Sequence, residues 1–166
     1  RSLRREYLDQ DETGNRQLAQ SAAVDKPGGQ PQGNAMFWTL SQVAIGGAIG
    51  SVLRYHVGRV VTNLAGPANA FPWGTLAVNV IGSLLMGVLV GWLARGSAEA
   101  QTAENVRLLI GVGLLGGFTT FSAFSAELVT LLHRGQALLA VGYAAASLVA
   151  GLAAVIIGLV AAQSAS

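Results

Sequence analysis

Residues 113–127 read Gly-Leu-Leu-Gly-Gly-Phe-Thr-Thr-Phe-Ser-Ala-Phe-Ser-Ala-Glu and sit in the middle of a long apolar segment. Gly116 and Gly117 are poor helix residues, while Thr119 and Thr120 are stiff at χ1 and able to bond backbone groups. So many weak helix formers in so short a run predict a break in a helix whose composition suits a membrane crossing. In hydrocarbon every backbone N–H and C=O must find a partner, so a break at membrane depth survives only where protein, water or an ion covers the freed groups. Transporters use such breaks to aim carbonyl oxygens at cations and half-helix N-termini at anions. The competing reading is a glycine-rich packing interface whose hydroxyls bond back to the helix.

Outward from this stretch, the composition is that of an integral membrane protein: 52% hydrophobic and 11% charged residues over 166 positions, with 22 glycines. Soluble domains carry about 25% charged residues. The absence of cysteine excludes disulfides, thiolate catalysis and cysteine metal sites. A formal charge of +2 with no dense basic patch gives no argument for nucleic acid. No nucleophile–base motif, phosphate loop or carboxylate pair is present, so the chain does not read as an enzyme.

The chain divides into residues 1–35 and 36–166. The first part holds the single lysine, Lys26, with several arginines and acids and a Pro/Gly/Gln-rich end, and has no apolar run. It reads as a disordered extension and lacks the hydrophobic region of a signal peptide. With the hydrophobic protein starting at Met36, our hypothesis is that Met36 is the native start and that the preceding residues are not native.

Four apolar segments follow in 36–166, each near the ~20 residues that span a bilayer. The first, about 37–61, carries Gly46, Gly47, Gly50 and Ser51, spaced for close helix approach, and ends in Arg54, Tyr55, His56 and Arg59 at an interface. The second, about 73–94, is bounded by Trp73, Trp92 and Arg95, and places Thr75, Asn79, Gly82, Ser83 and Met86 on one face. A buried Asn79 amide is costly unless partnered, either across a helix interface or by a ligand. The third, about 106–132, contains the break, after which Phe121, Phe124 and Glu127 lie along one stripe. An ionisable group inside a span is a functional candidate by default. The fourth, about 136–162, sets the hydroxyls of Tyr143 and Ser147 and then Gly151 on one face. His56 and His133 lie at helix ends without other ligands nearby and read as interfacial.

Orientation normally follows an excess of Lys and Arg on the cytoplasmic side. Here one side would hold Arg95 and Arg107 and the other Arg54, Arg59 and Arg134, so the chain could insert both ways and pair as an antiparallel dimer.

Three stretches in order resemble the CrcB/Fluc fluoride channels: residues 46–55 (Gly-Gly-Ala-Ile-Gly-Ser-Val-Leu-Arg-Tyr), 74–83 (Gly-Thr-Leu-Ala-Val-Asn-Val-Ile-Gly-Ser) and 116–124 (Gly-Gly-Phe-Thr-Thr-Phe-Ser-Ala-Phe). The resemblance covers about 37–162. It implies an all-α membrane protein of the bacterial inner membrane: four transmembrane helices, the third broken mid-membrane, assembled as an antiparallel, dual-topology homodimer with two fluoride pathways. It also implies a structural Na+ on the dimer axis, held by the backbone carbonyls of Gly116 and Thr119. Phe121 and Phe124 would be the pore phenylalanines, Asn79 would donate to fluoride, and Thr75, Ser122, Ser125, Tyr143 and Ser147 would line the path. Arg54 would serve as vestibule charge or helix anchor, and Glu127 lies near the pathway with no role assigned. Gly151 and Ala123 depart from the hydroxyls frequent in the family.

The function expected is passive export of fluoride from the cytoplasm, relieving its toxicity. The alternative is a proton-coupled small multidrug exporter using Glu127, also a four-span dual-topology dimer. That reading calls for a glutamate in an unbroken first helix, where this sequence has no acid.

Overall fold

The computed structural model describes residues 31–66 and 69–165. They divide between two compact units, Arg1–Phe37 and Trp38–Ser166, and the second carries the helical body. Of the expected N-terminal extension, residues 1–30 lie outside the described residues, and residues 31–35 are the opening of the first helix. All regular structure among the described residues is helical.

Four helices are long and apolar enough to cross a membrane. The first, α1 (Pro31–Ala65), is longer at both ends than its apolar core suggested. The second, α2 (Trp73–Ala94), has the bounds expected from its flanking Trp and Arg. The third span opens as α3 (Ala100–Val106), continues as a wide-turn π-helical stretch (Arg107–Leu115) and a last turn (Gly116–Phe118), and resumes as α4 (Phe121–His133). The fourth is α5 (Ala137–Ser164). The turns after α2 and α4 are made by Gly96 (φ 65°) and Gly135 (φ 72°), a left-handed conformation that favours glycine at a helix end. After α4 the N–H of Gln136 reaches back to the Leu131 carbonyl at 2.9 Å, closing the reversal into α5.

Glycine sets how the helices meet. A Cβ on Gly87 would collide with the Val155 carbonyl, and one on Gly158 with the Leu84 carbonyl, so α2 and α5 touch backbone to backbone. On α1, side chains at Gly46 or Gly50 would collide with the Leu109 or Leu114 carbonyls of the third span. The small-residue spacing in α1 therefore does what it suggested and seats α1 against the segment leading to the break. Gly117 stands against Gly47, where a Cβ would lie 2.6 Å from its carbonyl oxygen.

Buried side chains are few, and the densest cluster is Leu131, Ala140 and Tyr143, with Phe71, Leu76 and Phe124 packed around it at the α4–α5 turn. Large apolar side chains face outward along α5, including Leu138, Leu148, Val149 and Leu152. Such a continuous apolar surface suits lipid rather than water.

These contacts set a sharp contrast between two glycines of α5. Gly158→Ala must push α2 away and should destabilise the fold by about 1–3 kcal/mol. Gly142 has nothing within 4 Å of an added Cβ. Gly142→Ala should be neutral or stabilising by up to about 1 kcal/mol. Thermal unfolding of both variants in detergent is the check, and equal midpoints would contradict the packing described.

Candidate functional site

The helix break falls at Thr119 (φ −78°, ψ 159°) and Thr120 (φ −150°, ψ 118°), both extended. Gly116 and Gly117 remain helical, so the break lies after the glycines rather than at them. Their role is spatial, because Gly117 needs its missing Cβ to approach Gly47. Thr119 ends the first half by donating both its N–H and its Oγ1 to the Leu115 carbonyl, each at 2.9 Å. Thr120 starts the second half: its Oγ1 accepts the Ala123 N–H at 3.2 Å, an N-cap that satisfies one of the free donors of α4.

Asn79 on α2 completes the break. Its Oδ1 accepts the Thr120 N–H at 2.8 Å, and its Nδ2 donates to the Thr120 carbonyl at 3.0 Å. One amide side chain thus satisfies both backbone groups of the residue at the break, so Asn79 is partnered as its position demands. In an unbroken helix the Thr120 N–H would close on the Gly116 carbonyl, and the Ala123 N–H on the Thr119 carbonyl. Both donors are diverted, which frees those two carbonyls from helical pairing. The Thr119 carbonyl accepts from Arg54 Nη1 at 3.3 Å and retains a second lone pair.

About two turns beyond Thr120, Glu127 is held at both oxygens. Thr75 Oγ1 donates to Oε1 at 2.6 Å, and the Tyr143 hydroxyl donates to Oε2 at 2.7 Å. Tyr143 is fully buried and is packed by Phe124 and Phe71, with ring centroids 5.2 and 5.4 Å away. Three residues of the polar face of α2 thus meet the third span: Thr75 at Glu127, Asn79 at Thr120, and Gly82 beside Thr119 and Phe118.

The remaining expected residues take distinct places. Phe121 is 79% exposed and lies 5.7 Å from Phe124 between ring centroids. Ser122 shares a 3.2 Å hydrogen bond with Thr120 Oγ1. Ser125 donates to the Phe121 carbonyl within its own helix at 3.0 Å. Ser147 Oγ is buried without a hydrogen-bond partner. Gly151 packs beside Ser83, its added Cβ falling 3.6 Å from the hydroxyl.

A wide cleft of about 530 Å³ opens beside this network, reaching Thr75 and Glu127 and lined by Arg54, Arg59 and Arg134. Arg54, Arg59 and Arg134 fall on one side, as their places at span ends suggested, but that they line one cleft has no local sequence signal. Thr120, read in the sequence as part of the break, takes its capping role only here, although a threonine three residues before the N–H it caps is a readable helix start. No cluster of three or more His, Cys, Asp or Glu capable of holding a metal occurs among the described residues.

Comparison with known proteins follows the same residues. Residues 41–159 match the family described as "CrcB-like protein, Camphor Resistance (CrcB)". The chain is 60% identical over 117 residues to the "Fluoride-specific ion channel FluC" of Novosphingobium aromaticivorans, covering 70% of this chain and 90% of that one. It is 53% identical over 119 residues to the protein of the same name from Erythrobacter litoralis, covering 70% and 86%. With that from Agrobacterium fabrum the identity is 52% over 120 residues, covering 72% and 92%.

The Glu127 clamp has a measurable stability. Tyr143→Phe and Thr75→Val each leave one carboxylate oxygen without its hydroxyl and should cost about 1–3 kcal/mol. Thermal unfolding in detergent reads this directly, and variants that melt with the wild type would show that the clamp does not hold α2, α4 and α5 together.

Proposed function

The chain belongs to the CrcB-like family, and we propose that it is a fluoride-specific ion channel, a passive multi-pass membrane path by which fluoride leaves the cytoplasm. It is a channel and not an enzyme. The observation that carries the mechanism is the Asn79–Thr120 pair, which holds open a helix break and leaves Asn79 a second amide N–H. The break lies well inside the third span, Ala100–His133, and we place it near the bilayer midplane.

Fluoride is small and strongly hydrated, so a path must replace its water with closely set donors. The free N–H of Asn79, the Ser122 hydroxyl and the electropositive ring edges of Phe121 and Phe124 supply such contacts. Ser147, whose hydroxyl lies one turn from Tyr143 and makes no well-formed hydrogen bond, is a further donor on the α5 side. Thr75 and Tyr143 line the same region, but their hydroxyl protons are engaged on Glu127, so they orient the carboxylate rather than hydrate the ion. Ser125 contributes through its position beside Phe121, its proton being held by its own helix. Chloride is excluded by size and by weaker hydrogen bonding. Hydrogen fluoride entering from acidic surroundings dissociates inside, and the anion returns through the channel down its gradient.

The working unit in this reading is an antiparallel homodimer with dual topology and two pathways. Exposed Phe121 and Gly116 leave a face on which a second copy fits. The carbonyls of Gly116 and Thr119, released from helical bonding, suit a hard cation, and two copies double the ligand number. Na+ bound there would fix the two breaks to each other. Arg54 anchors α1 to the Thr119 carbonyl from the vestibule side. A proton-coupled drug exporter is less compatible with these features, since three arginines line the cleft leading to Glu127, the wrong sign for a cationic drug.

Efflux from liposomes, read with a fluoride electrode, tests the proposal. Wild type should release fluoride rapidly and retain chloride. Phe121→Ile should slow fluoride release by about tenfold or more, equivalent to at least about 1.4 kcal/mol of barrier. Absence of fluoride efflux from well-folded protein would overturn the channel reading.

A further inference from the structure

Arg107 and the arginines of the cleft differ in their partners. Arg107 is neutralised by Glu104 through two contacts of 2.8 Å. Arg54, Arg59 and Arg134 have no carboxylate partner: Arg54 bonds a carbonyl, Arg59 donates to the Tyr55 hydroxyl at 2.9 Å, and Arg134 makes no side-chain hydrogen bond. All three line the cleft of about 530 Å³, and its one acid, Glu127, is already held by two hydroxyls. The cleft therefore sets three guanidinium groups against one carboxylate, with most of its guanidinium donors unused.

The cleft is wide enough to admit an anion larger than fluoride. A water molecule takes about 30 Å³, and fluoride is of similar size, so the cavity is an order of magnitude larger than the ion. Guanidinium groups pair preferentially with planar or tetrahedral oxyanions through two parallel N–H···O bonds. Tyr55 is 60% exposed at the cleft, and tyrosine is enriched at the membrane–water interface where lipid phosphates lie.

We propose that this cleft is a phosphate-class oxyanion site in which Arg59 from α1 and Arg134 after α4 clasp one anion. The same chemistry is offered by free phosphate and by an anionic lipid headgroup. An anion seated there crowds the entrance beside Thr75 and Glu127 and slows fluoride entry, a consequence that rests on the channel reading above.

Calorimetric titration of inorganic phosphate into the purified full chain in non-ionic detergent tests binding without reference to conduction. One phosphate per chain is expected, weakened about tenfold or more by Arg59→Gln and by Arg134→Gln, the loss of one charge-assisted pair. Arg107→Gln is expected to bind as wild type. Absence of binding to wild type, or equal affinity in wild type and both cleft variants, would overturn the site. In nanodiscs, competition by phosphatidylglycerol but not phosphatidylcholine identifies the lipid headgroup as the source; undiminished phosphate binding in both identifies the free anion. Phosphate should also slow fluoride efflux from wild type and not from Arg134→Gln. A wild type with no efflux in phosphate-free buffer contradicts the channel reading and leaves the binding result standing.

Discussion

One asparagine side chain substitutes for the helix at the point where the helix stops. The two hydrogen bonds between Asn79 and the backbone of Thr120 give the broken segment what water would otherwise supply. In a membrane a broken helix without such partners costs several kcal/mol per unsatisfied group, so the rest of the arrangement depends on this pair. It fixes the register of α2 against the third span, and the Glu127 clamp and the contact of Gly82 with Thr119 follow from that register.

Holding that register requires helices that cannot slide. Glycine contacts between α2 and α5, and between α1 and the third span, bring backbones together where any Cβ would collide. In lipid there is no hydrophobic drive between helices, so close packing and interhelical hydrogen bonds carry association. The polar network and the glycine seams are thus two halves of one device: the seams set the spacing, and Asn79, Thr75 and Tyr143 use it.

Much of this was legible in the sequence. Four spans, the limits of α2 and the shared face of Thr75, Asn79 and Gly82 follow from hydropathy, interfacial Trp and Arg residues and helical spacing. The position of the break was less so, because glycine signals both weak helix and close approach, and propensity cannot separate them. Gly117 is helical and serves approach, while Thr119 and Thr120 make the break. Hydroxyl direction was not legible either: Ser125 looks like a free donor in sequence yet is bonded to its own helix, and Thr75 and Tyr143 are spent on Glu127. The arginine cleft was legible only in part: span ends put Arg54, Arg59 and Arg134 on one side, while the cleft they line depends on how the helices pack, which local pattern does not encode.

Asn79 is thus needed for conduction and not for folding alone. Asn79→Asp retains an acceptor for the Thr120 N–H but sets a second oxygen against the Thr120 carbonyl and removes the amide donor. In liposome efflux with a fluoride electrode, this variant should release no fluoride above protein-free liposomes while eluting as folded protein. Efflux at the wild-type rate from folded Asn79→Asp would contradict the claim that this pair builds the fluoride path.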